Sequence, residues 1–108
     1  MIERVTPMMP PVGLKTIVLS SSTVLLTWTD TSLGSNQRNT DNRYYTVKYT
    51  VLQGSGRRYR YVNSTGLNCH IDNLKPYTNY EFSVKVIKGR RQSTWSMSVL
   101  NTTEEAGI

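Results

Sequence analysis

From Asn79 to Lys88 the chain reads NYEFSVKVIK, an unbroken alternation of apolar and polar residues. A period of two sends Tyr80, Phe82, Val84 and Val86 to one face of an extended strand and Glu81, Ser83 and Lys85 to the other; a helix of the same residues would scatter them around its axis. The stretch therefore predicts a central strand with one buried face. The same pattern recurs in Val24, Leu26 and Trp28 of VLLTWT, in Tyr45, Val47 and Tyr49 of RYYTVKYT, and in Leu67, Cys69 and Ile71 of LNCHID. Turn-forming runs separate these pieces: SSS at Ser20–Ser22, DTSLGSNQRNTDN at Asp30–Asn42, GSG at Gly54–Gly56 and GRRQS after Lys88. A first strand is expected from Leu14 to Leu19, a basic aromatic strand in RRYRYVN, and a last strand in TWSMSVLNTT. No segment has a helical period, and alanine, the strongest helix former, occurs once, at Ala106. About seven short antiparallel strands bounded by turns predict an all-β sandwich.

At 108 residues the chain is long enough for one domain and too short for two. The proline-rich TPMMPPVG reads as an extended lead-in, so residues 1–9 are expected to be a linker, 10–103 the domain and 104–108 a second linker. No apolar run reaches the ~20 residues that cross a bilayer, and no signal-peptide pattern opens the chain; the reading is a soluble piece of something longer. Cys69 is the single cysteine, which excludes an internal disulfide and a cysteine metal cluster. His70 alternates outward beside it, no two acids stand in a catalytic setting, and no glycine-rich phosphate loop is present, so neither an enzyme nor a cofactor or metal is expected. The net charge of +6 favours anionic partners. Arginine interleaved with tyrosine in RRYRY is a feature of nucleic-acid binders, but the expected absence of a continuous basic groove, together with two glycosylation sequons, argues against such a partner.

Leu74, Pro76, Thr78, Tyr80, Phe82, Val84 and Val86 spell L-x-P-x-T-x-Y-x-F-x-V-x-V, which resembles the tyrosine corner and following strand of fibronectin type III domains. A buried tyrosine must satisfy its hydroxyl, and in that family it bonds back to the preceding corner. Tyr80 takes that part, Leu74 packs the corner, Trp28 matches the core tryptophan and Pro10–Pro11 the lead-in; the resemblance runs from about Pro10 to Thr103. More narrowly, MMPPVG, RYYTVKY, YEFSVKVIKGRR and STWSM resemble the fifth type III repeat of the DCC/neogenin family of netrin receptors. Departures fall at LNCHID, at the loop around Gly34–Asn42 and at LQGSGRRYR.

That resemblance implies an extracellular, non-enzymatic ligand-binding module of a single-pass plasma-membrane receptor in axon guidance and cell migration, reaching the membrane only through the parent receptor's span and flanked by neighbouring type III repeats. It implies netrin contacts at Met97 and Val12, and binding of heparan sulfate or another sulfated glycan at Lys88, Arg90 and Arg91, whose guanidinium groups can fork two hydrogen bonds to sulfate oxygens. Arg57, Arg58 and Arg60 are read as a solvated basic face, and Trp95 as a structural ring stacked under a neighbouring cation. Where integrin-binding repeats carry Arg-Gly-Asp, this chain has Gly89-Arg90-Arg91. Asn63 in NST and Asn101 in NTT are candidate glycosylation sites, with Asn63 expected in a loop and Asn101 less accessible on a strand. Two alternatives stand beside this reading: a passive spacer or adhesion module, and binding of repulsive guidance molecule as in neogenin.

Overall fold

A computed structural model describes residues 5–54 and 56–106; the outermost parts of both expected linkers lie outside them. Eight strands occur among these residues: β1 (Val12–Val18), β2 (Val24–Thr29), β3 (Tyr44–Val51), β4 (Arg60–Ser64), β5 (Asn68–Ile71), β6 (Asn79–Lys88), β7 (Arg91–Gln92) and β8 (Val99–Thr102). They form two antiparallel sheets, β1-β2-β5 and β4-β3-β6, with β7 and β8 both pairing the far edge of β6. The strand from Asn79 is central, as its alternation requires. Its pairing with β3 runs from Tyr44 opposite Ile87 to Val51 opposite Tyr80.

The inward set of each strand meets between the sheets. Val24, Leu26 and Trp28 from β2, Cys69 and Ile71 from β5, Tyr45 and Val47 from β3, and Tyr80, Phe82, Val84 and Val86 from β6 form one buried cluster with Leu74 and Met8. Each such side chain contributes about 1.5–3 kcal/mol of burial when fully enclosed. Trp28 lies against Tyr45 with ring centroids 5.4 Å apart and the planes tilted, an arrangement that suits the two ring quadrupoles. At the corner, the Tyr80 hydroxyl accepts the Lys75 amide at 2.8 Å, and the Leu74 amide donates to the Ser22 carbonyl at 3.0 Å. The corner is thereby tied both to its own strand and to the β1–β2 turn.

Three sequence expectations change. The first strand starts at Val12, ahead of Leu14, because Gly13 at φ +64° absorbs a register shift between Val12 and Lys15 that a side chain would oppose. Met8, in the expected lead-in, is buried in the core and bridges Ser93 in parallel. Of the expected last strand TWSMSVLNTT only Val99–Thr102 is in the ladder, as β8, while Arg91–Gln92, expected in the connecting loop, forms β7, with a break between the two. Along the break, the amides of Ser93 and Ser96 donate to the carbonyls of Val86 and Val84 at 2.9 and 2.8 Å, while their hydroxyls accept the amides of Val86 and Val84 at 3.0 and 2.9 Å. Serine side chains thus stand in for backbone carbonyls, so β6 stays satisfied while the segment beside it leaves ladder geometry.

Candidate functional site: an exposed seam and a basic aromatic face

The serine break shapes what the last segment displays. Ser96 is buried, its hydroxyl also donates to the Met97 carbonyl at 3.1 Å, and the Met97 side chain points to water with 90% of its surface exposed. The N-terminal strand runs alongside. Arg91 Nε donates to the Thr6 carbonyl at 2.9 Å, Met8 bridges Ser93, and Asn101 Nδ2 donates to Thr16 Oγ1 at 2.8 Å. All three pairs are 85 residues apart in sequence, the constant difference that parallel neighbours keep. Val12 and Met97 both fall between the second and third of these pairs, each at an irregular point of its segment. Val12 is 45% exposed and Met9 is also open. The two residues expected to contact a protein ligand are thus both exposed, on neighbouring segments where the edges of the two sheets meet.

The outer face of the larger sheet carries interleaved rings and cations. Lys48 Nζ lies 4.8 Å from the Tyr59 ring centroid and 4.5 Å from that of Trp95, and Lys85 Nζ sits 4.9 Å from the same indole. Tyr61 tilts against Trp95 at 6.2 Å. Strand alternation produces the stack, since Lys48 and Tyr61 are cross-strand partners and Lys85 follows on β6. Trp95 is held between two ammonium groups, as the sequence reading of a stacked structural ring expects. A shallow groove on this face is lined by Tyr44, Tyr61, Lys85, Arg90, Arg91 and Trp95.

The basic hairpin is not three equivalent charges. Lys88 Nζ pairs with Asp41 Oδ2 at 3.2 Å, and Asp41 is itself gripped by Arg43 through Nε and Nη2, both at 2.8 Å. Arg43 Nη1 reaches Asp30 Oδ2 at 2.8 Å, and the Tyr45 hydroxyl donates to the same oxygen at 2.6 Å. Asp30 and Arg43 are 1% and 5% exposed, so a buried charge network crosses the long β2–β3 loop. Burial works to raise the Asp30 carboxyl, but hydrogen bonds from Ser32, Tyr45 and Arg43 together outweigh it and hold the group below the usual carboxylate range. The Arg43 hydrogen bond holds Asp41 far below that range. Burial, reinforced by the Asp30 charge, pushes the Tyr45 hydroxyl up. Sequence reasoning missed this network, because its members lie in an aperiodic loop and no spacing rule joins Asp30 to Arg43. Of the expected anion ligands, Lys88 belongs to the network, Arg91 is anchored through Nε, and Arg90 is exposed; Lys85 takes the open place beside the two arginines.

Asn63 lies within β4 and not in a loop, because Tyr61 and Asn63 alternate outward around half-buried Val62. Its Oδ1 accepts from Thr46 Oγ1 at 2.9 Å on an exposed face. Asn101 Nδ2 is engaged by Thr16. Cys69 is buried and burial raises its thiol, while His70 points outward from the next position. Among the described residues no group of three His, Cys, Asp or Glu side chains is placed to hold a metal ion, and no helix is long and apolar enough to cross a membrane.

The model of the fibronectin type III domain family matches residues 9–101. Human neogenin is 50% identical over 100 residues, covering 93% of this chain, and human netrin receptor DCC is 43% identical over 101 residues, covering 94%. The chain spans 7% of the length of each of these relatives. Among solved structures, a titin crystal structure superposes with a TM-score of 0.73 at 25% identity, over 92% of this chain and 33% of that one. The fibronectin type III domain of human contactin 1 superposes with a TM-score of 0.72 at 20% identity, over 97% of this chain and 85% of that one. With the family model matched from one edge of the sandwich to the other, and with the corner tyrosine bonded as that fold demands, the chain belongs to the fibronectin type III family and is similar within it to a repeat of neogenin and of netrin receptor DCC.

Proposed function

We propose that this domain is an extracellular recognition module of a membrane receptor, a binder and not an enzyme, whose protein ligand is netrin. The observation that carries the reading is the exposed apolar seam: Met97 is 90% open, next to a Ser96 bonded into the sheet, and Val12 and Met9 are open on the neighbouring segment. A methionine held out to solvent on an ordered backbone contributes nothing to the core, and its unbranched, polarisable side chain suits an apolar pocket on a partner. Similarity to a protein named as a netrin receptor supports this choice of partner. Heparan sulfate or a similar sulfated glycan occupies the groove beside the hairpin, where Arg90, Arg91 and Lys85 supply cations and Tyr61 and Trp95 supply flat apolar faces for sugar rings. Neighbouring type III repeats set the geometry, and the parent receptor's own span provides the membrane attachment.

Netrin binding to wild type and Met97→Ala, measured by calorimetry on the 108-residue chain, tests the seam. Full burial of the side chain corresponds to roughly 2 kcal/mol, or about 30-fold in Kd. The exposed position leaves thermal stability unchanged, so equal affinity of the two proteins refutes the contact. Heparin-column elution tests the groove: Arg90→Ser with Arg91→Ser moves to lower salt, whereas Lys88→Ser moves little because Asp41 already neutralises that charge. Equal displacement by all three substitutions removes the assigned division of labour.

A further inference from the structure

The two connections that flank β6 lie at opposite ends of the sandwich. Val51 pairs with Tyr80 and Tyr44 with Ile87, so the β3–β4 loop gathers at the tyrosine corner while the basic hairpin lies eight strand positions away, about 25 Å at ordinary strand rise. At the corner end a cleft opens between the sheets, lined by Arg57, Arg58, Arg60 and Lys75 around the rings of Tyr49 and Tyr80. Four cationic residues line it and no carboxylate does, although the Asp72 charge acts on the Tyr49 hydroxyl from outside the lining. Arg57 reaches Glu81 outside the cleft at 3.6 Å; Arg58, Arg60 and Lys75 have no ion pair among the described residues.

The cleft is also built, not incidental. Gly54 and Gly56, at φ +90° and +78°, turn the loop back so that the arginines return over the opening. Thr50 Oγ1 donates to the Arg58 carbonyl at 3.0 Å, and the Tyr80 hydroxyl accepts the Lys75 amide at 2.8 Å, so the strand and the corner fix the backbone of two of the four cations. Arg60 is the cross-strand partner of Tyr49 on the inward side of the sheet and its charge acts on the Tyr49 hydroxyl, counter to the burial that raises that group. Like charges gathered in this way repel unless an anion enters among them. Guanidinium forks match carboxylate and phosphate alike, and a tetrahedral oxyanion carries enough oxygens to engage several cations at once.

We propose that the cleft formed by Arg57, Arg58, Arg60 and Lys75 is a binding site for a sulfate or phosphate ester, separate from the hairpin groove. The half-buried Tyr49 ring accepts the body that carries the ester, and the distance to the hairpin keeps one small ligand from occupying both places. The site stands or falls independently of the netrin reading.

The test uses the full chain carrying Arg90→Ser and Arg91→Ser, which silences the hairpin. Inorganic pyrophosphate and a fully sulfated heparin disaccharide are titrated separately, with the arginine Nε–H and backbone amide resonances followed by NMR. Saturable shifts at Arg57, Arg58 and Arg60 Nε–H and at the Lys75 amide are expected. Adding Arg58→Ser and Arg60→Ser weakens binding at least tenfold; both side chains are exposed, and retained amide dispersion verifies the fold. Saturation by both probes establishes a general oxyanion site, by the disaccharide alone a sulfated-sugar site, and by pyrophosphate alone a phosphate site. Shifts that grow without saturating with either probe, or that saturate only at other residues, overturn the proposal.

Discussion

Replacing Arg43 by methionine strips the cation from the buried network while keeping most of the side-chain volume. Asp30, 1% exposed, then faces the interior as a carboxylate without its guanidinium partner. Breaking a buried pair in this way ordinarily costs about 3–5 kcal/mol. Here Asp30 keeps the Tyr45 hydroxyl at 2.6 Å, the Ser32 hydroxyl at 2.6 Å and the Ser32 amide at 2.9 Å, which places the loss at the lower end, about 3 kcal/mol. With a urea slope of ~1.5 kcal/mol per molar, the unfolding midpoint falls by about 2 M. The deficit also depends on pH in a specific direction. In the wild type the Asp30 carboxyl is held below its unfolded value, so its contribution is complete above the ordinary carboxylate range and disappears as pH falls through it. In the variant that carboxyl loses one of the contacts that lower it, so its folded value moves up towards the unfolded one and less stability is lost as pH falls. The gap between the two proteins therefore narrows as pH falls from 7 to below about 4. Urea melts at several pH values across that span measure the gap. A gap that stays constant, or one below about 1 kcal/mol at pH 7, refutes the assignment of Arg43 as the counter-charge of a buried carboxylate.

Tyr80→Phe removes the acceptor of the Lys75 amide and lowers stability by about 1–2 kcal/mol by chemical melts, with the sheets otherwise intact. Ser96→Ala leaves the Val84 amide without its hydroxyl partner and costs about 1–3 kcal/mol; because the same hydroxyl holds the Met97 carbonyl, it also weakens netrin binding although Ser96 touches no ligand, and unchanged affinity would separate the seam from its support. Glycopeptide mass spectrometry of protein from a secretory host should find glycan on Asn63, which is exposed on an edge strand, and not on Asn101, whose amide nitrogen is held by Thr16.

What could be read from the sequence was whatever depends on near neighbours. The inward positions of β2, β3, β5 and β6 follow from a period of two, and the corner follows from Leu74, Pro76 and Tyr80 at fixed offsets. The outward face of β4 was open to the same reasoning, since Tyr61 and Asn63 alternate around Val62; the sequon had drawn Asn63 into a loop because such motifs are associated with loops. The break after β7 was hidden for a different reason. Ser93 and Ser96 look like ordinary polar residues in an alternating strand, and their part as substitute carbonyls appears only once Val84 and Val86 lie alongside. Asp30 and Arg43 were hidden by the loop between them, where no periodicity links a carboxylate to its partner.

The cations make the same point about function. KGRR presents three positive charges in a row, yet an aspartate from a distant loop takes Lys88 into a structural network, while Lys85, seemingly a plain outward strand residue, stands with Arg90 and Arg91 at the groove. RRYR, by contrast, reads as a solvated face, and its arginines converge on a cleft that has no acid in its lining. A run of charge in the sequence therefore measures supply, and availability is decided by where the carboxylates fold. In this domain Asp41 takes Lys88 at the hairpin and Glu81 takes Arg57 at the other end, which leaves Arg90 at the first and Arg58, Arg60 and Lys75 at the second without an ion pair among the described residues.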